Sequence, residues 1–209
     1  MVVNDLLDYW LNKGWTKETT ICNIHDPLCS CVLKSKVAVI DFDAVKMGYE
    51  KQHKIASPAS VDALRYDEKE LTFIEVKGWK KFLDFTGKVT EEKIDKKRKD
   101  YEYKKKLDDS LNICLQTIRE QNLISEDEFC RFPKRYIVVI DVQVKKEPLA
   151  SLAVSLQMLA TSSTSWDTMC WQKTQSDVDQ IPQEDYSGLN MKHPHLVSCS
   201  DFDACFSSP

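Results

Sequence analysis

Glycine is scarce in this 209-residue chain, which contains only five glycines, and this scarcity excludes several kinds of active site. The phosphate-binding loop and the dinucleotide-binding turn need closely spaced glycines, because the backbone must approach the phosphates directly. Neither pattern occurs in the sequence, and the Gly-x-Ser-x-Gly turn of α/β-hydrolases is also absent. The sequence therefore gives no support to an enzyme of these classes.

Long hydrophobic runs are also lacking. No segment approaches the roughly 20 consecutive apolar residues of a membrane-spanning helix, and the N-terminal residues lack the basic and then apolar layout of a secretory signal. Cysteine is not scarce, with eight in the chain, but disulfide frameworks belong mainly to small secreted domains with little core. We expect a cytoplasmic protein without membrane contact, in which most cysteines are reduced.

An excess of positive charge is missing as well, since the formal net charge is −4. A nucleic-acid partner would therefore have to bind a local patch of lysine and arginine. With 42% hydrophobic and 30% charged residues, the composition is that of a globular protein. The length is sufficient for one ordinary domain.

The hydrophobic pattern predicts an α/β fold, because short apolar strands alternate with helical segments. Strands are predicted at residues 36–43, 62–66, 71–77 and 135–142, with a turn at 67–70. A first helix is predicted at 4–15 and a long one at 90–121. At ~1.5 Å per residue the long helix would span about 45 Å, so we expect a break near Asp108–Ser110.

Two domain segments are predicted. Residues 1–147 should form the core, and residues 148–209 a C-terminal extension packed on the same domain. In the extension we expect a helix at 148–160, followed by loops rich in Ser, Thr and Asp with a short strand near His195–Ser198.

Two charged residues share one face of the predicted strand Leu71–Lys77. Because strand side chains alternate, Glu75 and Lys77 project on the same side as Leu71 and Phe73. Charges in a central strand are costly to bury unless they are paired or bound to a metal. The tight hairpin brings Asp62, at the start of the preceding strand, beside Glu75.

Two carboxylates held close together repel each other, and a hard divalent cation such as Mg²⁺ or Mn²⁺ relieves that repulsion through oxygen ligands. A neighbouring lysine can orient an attacking water and neutralise charge that develops on a phosphate. Asp62, Glu75 and Lys77 are therefore predicted to hydrolyse a phosphodiester bond.

The segments Ser60-Val61-Asp62 and Phe73-Ile-Glu75-Val-Lys77 resemble the signature of the PD-(D/E)XK nucleases. The predicted order of elements is similar to the αβββαβ core of that superfamily, over about residues 4–142. The resemblance implies a restriction-endonuclease-like fold with a mixed central sheet flanked by helices. It also implies that Asp62 and Glu75 bind the catalytic metal while Lys77 helps to activate water. One departure is Val61, which stands where the signature often has proline.

Many members of that superfamily carry a further acid upstream, on the first helix. The candidates are Asp5, Asp8, Asp41, Asp43 and Glu50. We favour Glu50 as a third metal ligand, because it lies closest before the Asp62 strand.

The segment Lys77–Lys106 contains twelve basic residues against six acids, with aromatic residues between them. Such a combination suits phosphate contacts and base stacking. The residues expected to contact nucleic acid are Lys80, Lys81, Lys96, Lys97, Arg98, Lys99, Tyr101 and Tyr103. The alternative is a solvated helix face with Lys–Glu pairs.

A zinc site is a weaker alternative reading of Cys22, His25, Cys29 and Cys31, because Cys29 and Cys31 are closer together than zinc ligands usually are. The leading hypothesis is a metal-dependent endonuclease that acts on DNA rather than RNA, in defence against foreign nucleic acid or in repair. The alternative is a non-catalytic nucleic-acid-binding or interaction module that retains the nuclease fold. A homodimer is left open.

Overall fold

The computed structural model describes residues 3–24, 34–142 and 165–207. The predicted helix at 148–160 lies outside these residues, and so do His25, Cys29 and Cys31. The described residues form an α/β structure, as predicted, with one open mixed sheet of six strands and eight α-helices. None of their helices has the length and apolar character needed to cross a membrane.

The strands are β1 (Glu18–Thr19), β2 (Val39–Asp41), β3 (Ala63–Asp67), β4 (Glu70–Lys77), β5 (Lys134–Ile140) and β6 (His195–Ser198). The helices are α1 (Asn4–Asn12), α2 (Ile21–Ile24), α3 (Phe42–His53), α4 (Trp79–Phe85), α5 (Glu91–Lys99), α6 (Tyr103–Gln121), α7 (Glu126–Arg131) and α8 (Trp166–Asp179). Two 3-10 helices follow, at Gln183–Leu189 and Asp203–Phe206.

The strands lie in chain order across the sheet. Strands β1 to β4 are antiparallel to their neighbours, whereas β4, β5 and β6 run parallel. The predicted hairpin is confirmed as β3 and β4. Its turn is closed by Asp67, whose carboxylate accepts hydrogen bonds of 2.9 Å from the backbone N–H groups of Lys69 and Glu70.

The strand predicted at 36–43 is shorter than expected, because its last residues begin a helix. The Asp41 carboxylate accepts a hydrogen bond of 3.0 Å from the Ala44 N–H and thereby caps α3. Helix α3 was not predicted. It separates β2 from β3 along the chain.

The predicted alternation of side chains in β4 is confirmed by two apolar cores, one on each face of the sheet. Leu71 and Phe73 belong to the larger core, which includes residues of α1, α3, α6 and α8. Ile74 and Val76 belong to a smaller core on the opposite face, with residues of α2 and with Phe202. Strand β4 is therefore central and buried on both faces, as the sequence indicates.

The predicted break near Asp108–Ser110 is wrong. Helix α6 runs through these residues, and the chain turns earlier, at Asp100–Glu102, between α5 and α6. Glu102 has a φ of 44°, in the left-handed region that interrupts a helix. The turn places the side chains of Tyr101 and Tyr103 in the larger core. Burial of these two rings fixes the position of the turn.

The C-terminal segment contributes two elements. The predicted short strand is confirmed as β6, which pairs with β5. Helix α8 was not predicted. Its buried residues Cys170, Thr174 and Val178 recur every four positions, but only two of these three are apolar, so the stripe is weak in the sequence.

Lys134, the first residue of β5, is fully buried. Its amine lies at the C-terminal end of α7, where it donates hydrogen bonds to the carbonyl oxygens of Phe129, Phe132 (2.9 Å) and Leu189 (3.2 Å). Such helix-end carbonyls have no partner within the helix. Burial lowers the pKa of Lys134 to about 8. This side chain ties α7 and the first 3-10 helix to the sheet.

We predict that Thr174→Val destabilises the fold. The Trp79 indole N–H, which is buried, donates to the Thr174 hydroxyl at 3.1 Å, and valine would leave this donor unsatisfied at a cost of about 1–3 kcal/mol. Urea unfolding measures the change. The control Ser176→Ala, on the exposed side of α8, should shift stability by less than about 0.5 kcal/mol, and equal effects of the two substitutions would contradict the assignment.

Candidate functional site

The structure brings together the three residues of the sequence signature. The Lys77 ammonium forms an ion pair with Glu75 Oε1 and lies 3.8 Å from Asp62 Oδ2. Asp62 immediately precedes β3, and its Oδ2 accepts a hydrogen bond of 2.6 Å from the Val76 N–H. The hairpin register, in which Ala63 pairs with Ile74, accounts for this proximity.

A fourth charged residue, Lys106 of α6, completes the cluster. Its Nζ donates a hydrogen bond of 2.6 Å to Glu75 Oε1 and lies 3.9 Å from Asp62 Oδ1. The site thus contains two carboxyl groups and two ammonium groups. We call these residues, Asp62, Glu75, Lys77 and Lys106, the charged cluster.

Lys106 was missed by the sequence analysis because it is the third of three consecutive lysines in a basic segment. A signal was nevertheless present. Buried residues of α6 lie at Tyr103, Leu107 and Ser110, which are three, one and four positions away, so Lys106 falls on the face that packs against the sheet.

Glu75 is the most deeply buried member of the cluster, with no exposed side-chain surface. Burial, followed by repulsion from Asp62, raises the pKa of its carboxyl to about 7, although both lysines oppose the shift. Both lysines contact Oε1, whereas Oε2 is buried and has no hydrogen-bond partner in the described residues. An unpartnered carboxylate oxygen in a protein interior is costly. A proton or a cation bound at Oε2 would relieve this cost.

Lys106 keeps its charge despite its burial. Burial by itself would lower the pKa of the Lys106 amine, but the charges of Glu75 and Asp62 together raise it above the ordinary value. The ammonium is therefore a permanent part of the site at neutral pH.

Helix α6 also positions the segment that carries Asp62. The Ser110 hydroxyl is buried and accepts a hydrogen bond of 2.9 Å from the Val61 N–H, and it donates to the Lys106 carbonyl at 2.7 Å. One turn of the helix thus fixes both Lys106 and the residue before Asp62. Asp109 adds a hydrogen bond of 2.8 Å from the Ala59 N–H.

The favoured upstream acid is not part of the cluster. Glu50 lies in the last turn of α3, and its carboxylate accepts a hydrogen bond from the Ser57 hydroxyl at 2.6 Å. Of the other candidates, Asp41 caps α3, and Asp43 pairs with Ser60 and Lys46. Asp5 and Asp8 lie on α1 and line a surface pocket that contains none of the cluster residues. Within residues 3–24, 34–142 and 165–207, no group of three or more Asp, Glu, His or Cys residues is arranged to hold a metal.

The prediction that Tyr101 and Tyr103 stack on nucleic-acid bases is wrong, because each residue is only 5% exposed. Both rings pack in the larger core. Tyr101 instead borders the charged cluster, where its ring centroid lies 5.3 Å from the Lys77 Nζ and 5.5 Å from the Lys97 Nζ. Its pattern in the sequence did not distinguish a stacking residue from a core residue.

The predicted basic residues of α4 and α5 differ in their surroundings. Lys81, Lys96 and Lys99 are exposed, whereas Lys80 and Lys97 are partly buried. Arg98 is held by α8, with its Nε 3.3 Å from the Asp177 carboxylate. Two further ion pairs between these helices join Lys173 of α8 to Glu91 and Asp95 of α5, at 2.8 Å each.

Of the four residues considered for zinc, only Cys22 is described. Its sulfur accepts a hydrogen bond of 3.3 Å from the Ser35 N–H and packs against the smaller core. These contacts do not require a metal.

Comparison with known proteins identifies no relative: no protein-family profile, curated protein or solved structure matches this chain significantly. The geometry of the charged cluster and the resemblance of its residues to the nuclease signature are therefore the basis for assigning a function.

We predict that Glu75→Gln removes a pH-dependent loss of stability. The pKa of Glu75 is about 7 in the folded protein, against 4.5 for an ordinary glutamate. Between these values the folded protein binds more protons than the unfolded chain, so the free energy of unfolding falls as the pH rises. The loss of stability develops between pH 4.5 and 7, is complete above pH 7 and amounts to about 3 kcal/mol. A neutral glutamine does not undergo this loss.

Urea unfolding in EDTA at about pH 5 and about pH 8 tests this prediction. The change in stability between the two pH values should be smaller for Glu75→Gln than for the wild type. Glu50→Gln, which replaces a carboxylate away from the cluster, is the control and should follow the wild type. Identical pH dependence of all three proteins would show that Glu75 does not titrate as described.

Proposed function

We propose that the protein is a metal-dependent nuclease that hydrolyses phosphodiester bonds at the charged cluster. The observation that carries this proposal is the buried Glu75 carboxylate, which has one oxygen held by two lysines and the other without a partner beside Asp62. A buried ionisable group with a strongly shifted pKa, surrounded by specific charged partners, is typical of functional sites.

The order of elements supports the restriction-endonuclease-like fold implied by the resemblance. An antiparallel meander, β2-β3-β4, is followed by helix α6 and then by β5, which is parallel to β4. Helix α1 precedes the meander. These elements follow the αβββαβ order, with β1, α2, α3, α4, α5 and α7 as additional elements between them.

The carboxylates fit a magnesium or manganese ion. Mg²⁺ is commonly held by only one or two protein carboxylates, because water and substrate phosphate supply the remaining oxygens. Asp62 and the free Oε2 of Glu75 would hold the ion. When bound, the ion would supply Lewis-acid polarisation of the phosphate and lower the pKa of a coordinated water.

The other residues of the cluster act on the phosphate and on the geometry. The Lys77 ammonium, which is partly exposed, would donate to the attacking water or to a phosphate oxygen and offset the negative charge that develops in the transition state. The Val76 N–H holds the Asp62 carboxylate in place through its bond to Oδ2. Ser110 fixes the preceding peptide.

The proposed substrate is nucleic acid, with DNA favoured over RNA, and defence or repair is the proposed role. Basic side chains follow the cluster strand β4 directly along the chain, at Lys80 and Lys81 of α4 and at the lysines of α5. Helix α4 also ends in an exposed aromatic ring, since Phe85 is 79% exposed. Phe85 offers the base-stacking surface that the buried tyrosines do not.

A specific observation favours the second candidate, a non-catalytic nucleic-acid-binding module. The two lysines of the charged cluster already balance its two carboxylates, so the cluster would be stable as a structural ion-pair network without a metal. Incubation of plasmid DNA and of RNA with purified protein and Mn²⁺, compared with EDTA, discriminates the candidates. Binding without cleavage in either cation would favour the module.

We predict that Lys77→Met lowers the rate of plasmid cleavage by at least about 100-fold, because a single preorganised charge contact is worth this much in a transition state. Binding of Mn²⁺ should be retained, since lysine is not a metal ligand. Asp62→Asn should impair both cleavage and Mn²⁺ binding. The control Lys69→Met, in the exposed turn at the other end of the hairpin, should cleave like the wild type, and calorimetry with Mn²⁺ separates the two roles.

We predict that the lysines of α5 contribute to the affinity for nucleic acid and not to the cleavage step. In the Glu75→Gln protein, replacing Lys96, Lys97 and Lys99 with Gln should reduce the slope of log affinity against log salt by about 0.9 per lost phosphate contact on duplex, or about 0.7 on single strands. A matched control replaces the exposed lysines Lys17, Lys51 and Lys54. Equal slopes in the two triple variants would show that α5 does not contact the phosphates.

A further inference from the structure

Lys106 and Lys77 neutralise the carboxylates that would hold the metal. Both ammonium groups contact Glu75 Oε1, and they lie 3.9 and 3.8 Å from the Asp62 carboxylate. When both carboxyl groups are ionised, the cluster is therefore electrically balanced before any cation arrives. A divalent cation entering it is attracted by two negative charges and repelled by two positive charges at similar range.

A phosphate group changes this balance. A phosphodiester carries one negative charge, and its oxygens can serve as metal ligands. Two protein carboxylates alone leave the coordination sphere of magnesium incomplete, so these oxygens help to fill it. The lysines that oppose the cation attract the phosphate. The phosphate therefore reduces the repulsion between the lysines and the cation, and the cation reduces the repulsion between the carboxylates and the phosphate.

Lys106 is suited to impose this coupling because it cannot easily withdraw. Its Nζ is held by a hydrogen bond of 2.6 Å to Glu75 Oε1, and its backbone belongs to the packed part of α6, where Leu107 and Ser110 are fully buried. The Ser110 hydroxyl bonds the Lys106 carbonyl.

We propose that Lys106 makes metal binding dependent on substrate, so that a divalent cation binds weakly to the free protein and tightly only together with a phosphodiester. This inference rests on the proposed function, because it assigns the cation to Asp62 and Glu75. By linkage, the cation strengthens binding of the phosphodiester by the same factor. The site would thus remain without a stably bound metal until nucleic acid is present.

The experiment measures Mn²⁺ binding by calorimetry and by electron paramagnetic resonance, with and without a phosphorothioate oligonucleotide that resists cleavage. Wild type should bind Mn²⁺ at least about tenfold more tightly with the oligonucleotide than without it. Lys106→Met keeps the aliphatic stem and removes the charge, so it should bind Mn²⁺ alone about tenfold more tightly than the wild type does. Its gain from the oligonucleotide should be smaller.

Lys105→Met is the matched control. Lys105 is adjacent on α6, but it is exposed and pairs with Glu102 at 3.6 Å. This variant should bind Mn²⁺ as the wild type does, and thermal unfolding in EDTA establishes that both variants are folded. If Lys106→Met is unfolded, Lys106→Gln takes its place, with the same expectation for Mn²⁺ affinity.

The outcomes separate this inference from the proposed function. If wild type cleaves DNA but Lys106→Met binds Mn²⁺ alone no more tightly than wild type, the coupling role of Lys106 is overturned and the nuclease proposal stands. If no protein binds Mn²⁺ under any condition and none cleaves, both proposals are overturned. Tight Mn²⁺ binding by the free wild type, unaffected by oligonucleotide, also overturns the inference.

Discussion

The burial of one carboxylate, that of Glu75, is the constraint on which the rest of the structure depends. Glu75 lies at the end of a strand that is apolar on both faces, and its carboxyl has a pKa of about 7 as a result. A charge in such a place needs compensation from several directions. The hairpin supplies Lys77, and helix α6 supplies Lys106. The charge compensation at Glu75 therefore depends on how the hairpin and α6 are arranged in the fold.

Helix α6 carries out several tasks at once because of its position after β4 in the chain. Its apolar stripe covers the larger face of the sheet, its Lys106 reaches Glu75, and its Ser110 holds the peptide before Asp62. Since all three depend on one rigid element, a small rotation of α6 would disturb packing and charge balance together. The arrangement favours a single geometry of the charged cluster.

The sequence predicted those parts that depend on local periodicity. The two faces of β4, the hairpin and the proximity of Asp62 to Glu75 follow from the alternation of side chains and a short turn, which are properties of a few neighbouring residues. The parts it did not predict depend on distant contacts. The break after α5 follows from burial of Tyr101 and Tyr103, and helix α8 is stabilised by residues of α4 and α5, such as Trp79 and Asp95.

The candidate site shows the same division. Residues on adjacent strands could be placed together from their spacing, whereas Lys106 enters from a helix that is separated from Glu75 by 31 positions. In a run of three lysines, composition alone suggested a basic surface for nucleic acid or a solvated helix face. The packing of α6 on the sheet distinguishes them, because it brings Lys106 to Glu75 while Lys104 pairs with Asp108 and Asp185. Glu50 lies outside the charged cluster for the complementary reason, since its nearness in sequence did not bring its carboxylate beside Asp62, and it pairs with Ser57 instead.

The buried amine of Lys134 has a thermodynamic consequence. Its pKa is about 8 in the folded protein, against 10.5 for an ordinary lysine. At a pH between these values the folded protein binds fewer protons at Lys134 than the unfolded chain does. Unfolding in mildly alkaline solution is therefore accompanied by proton uptake at Lys134. This contribution makes the heat of unfolding depend on the ionisation enthalpy of the buffer, and it makes the fold more stable as the solution becomes more alkaline through this range.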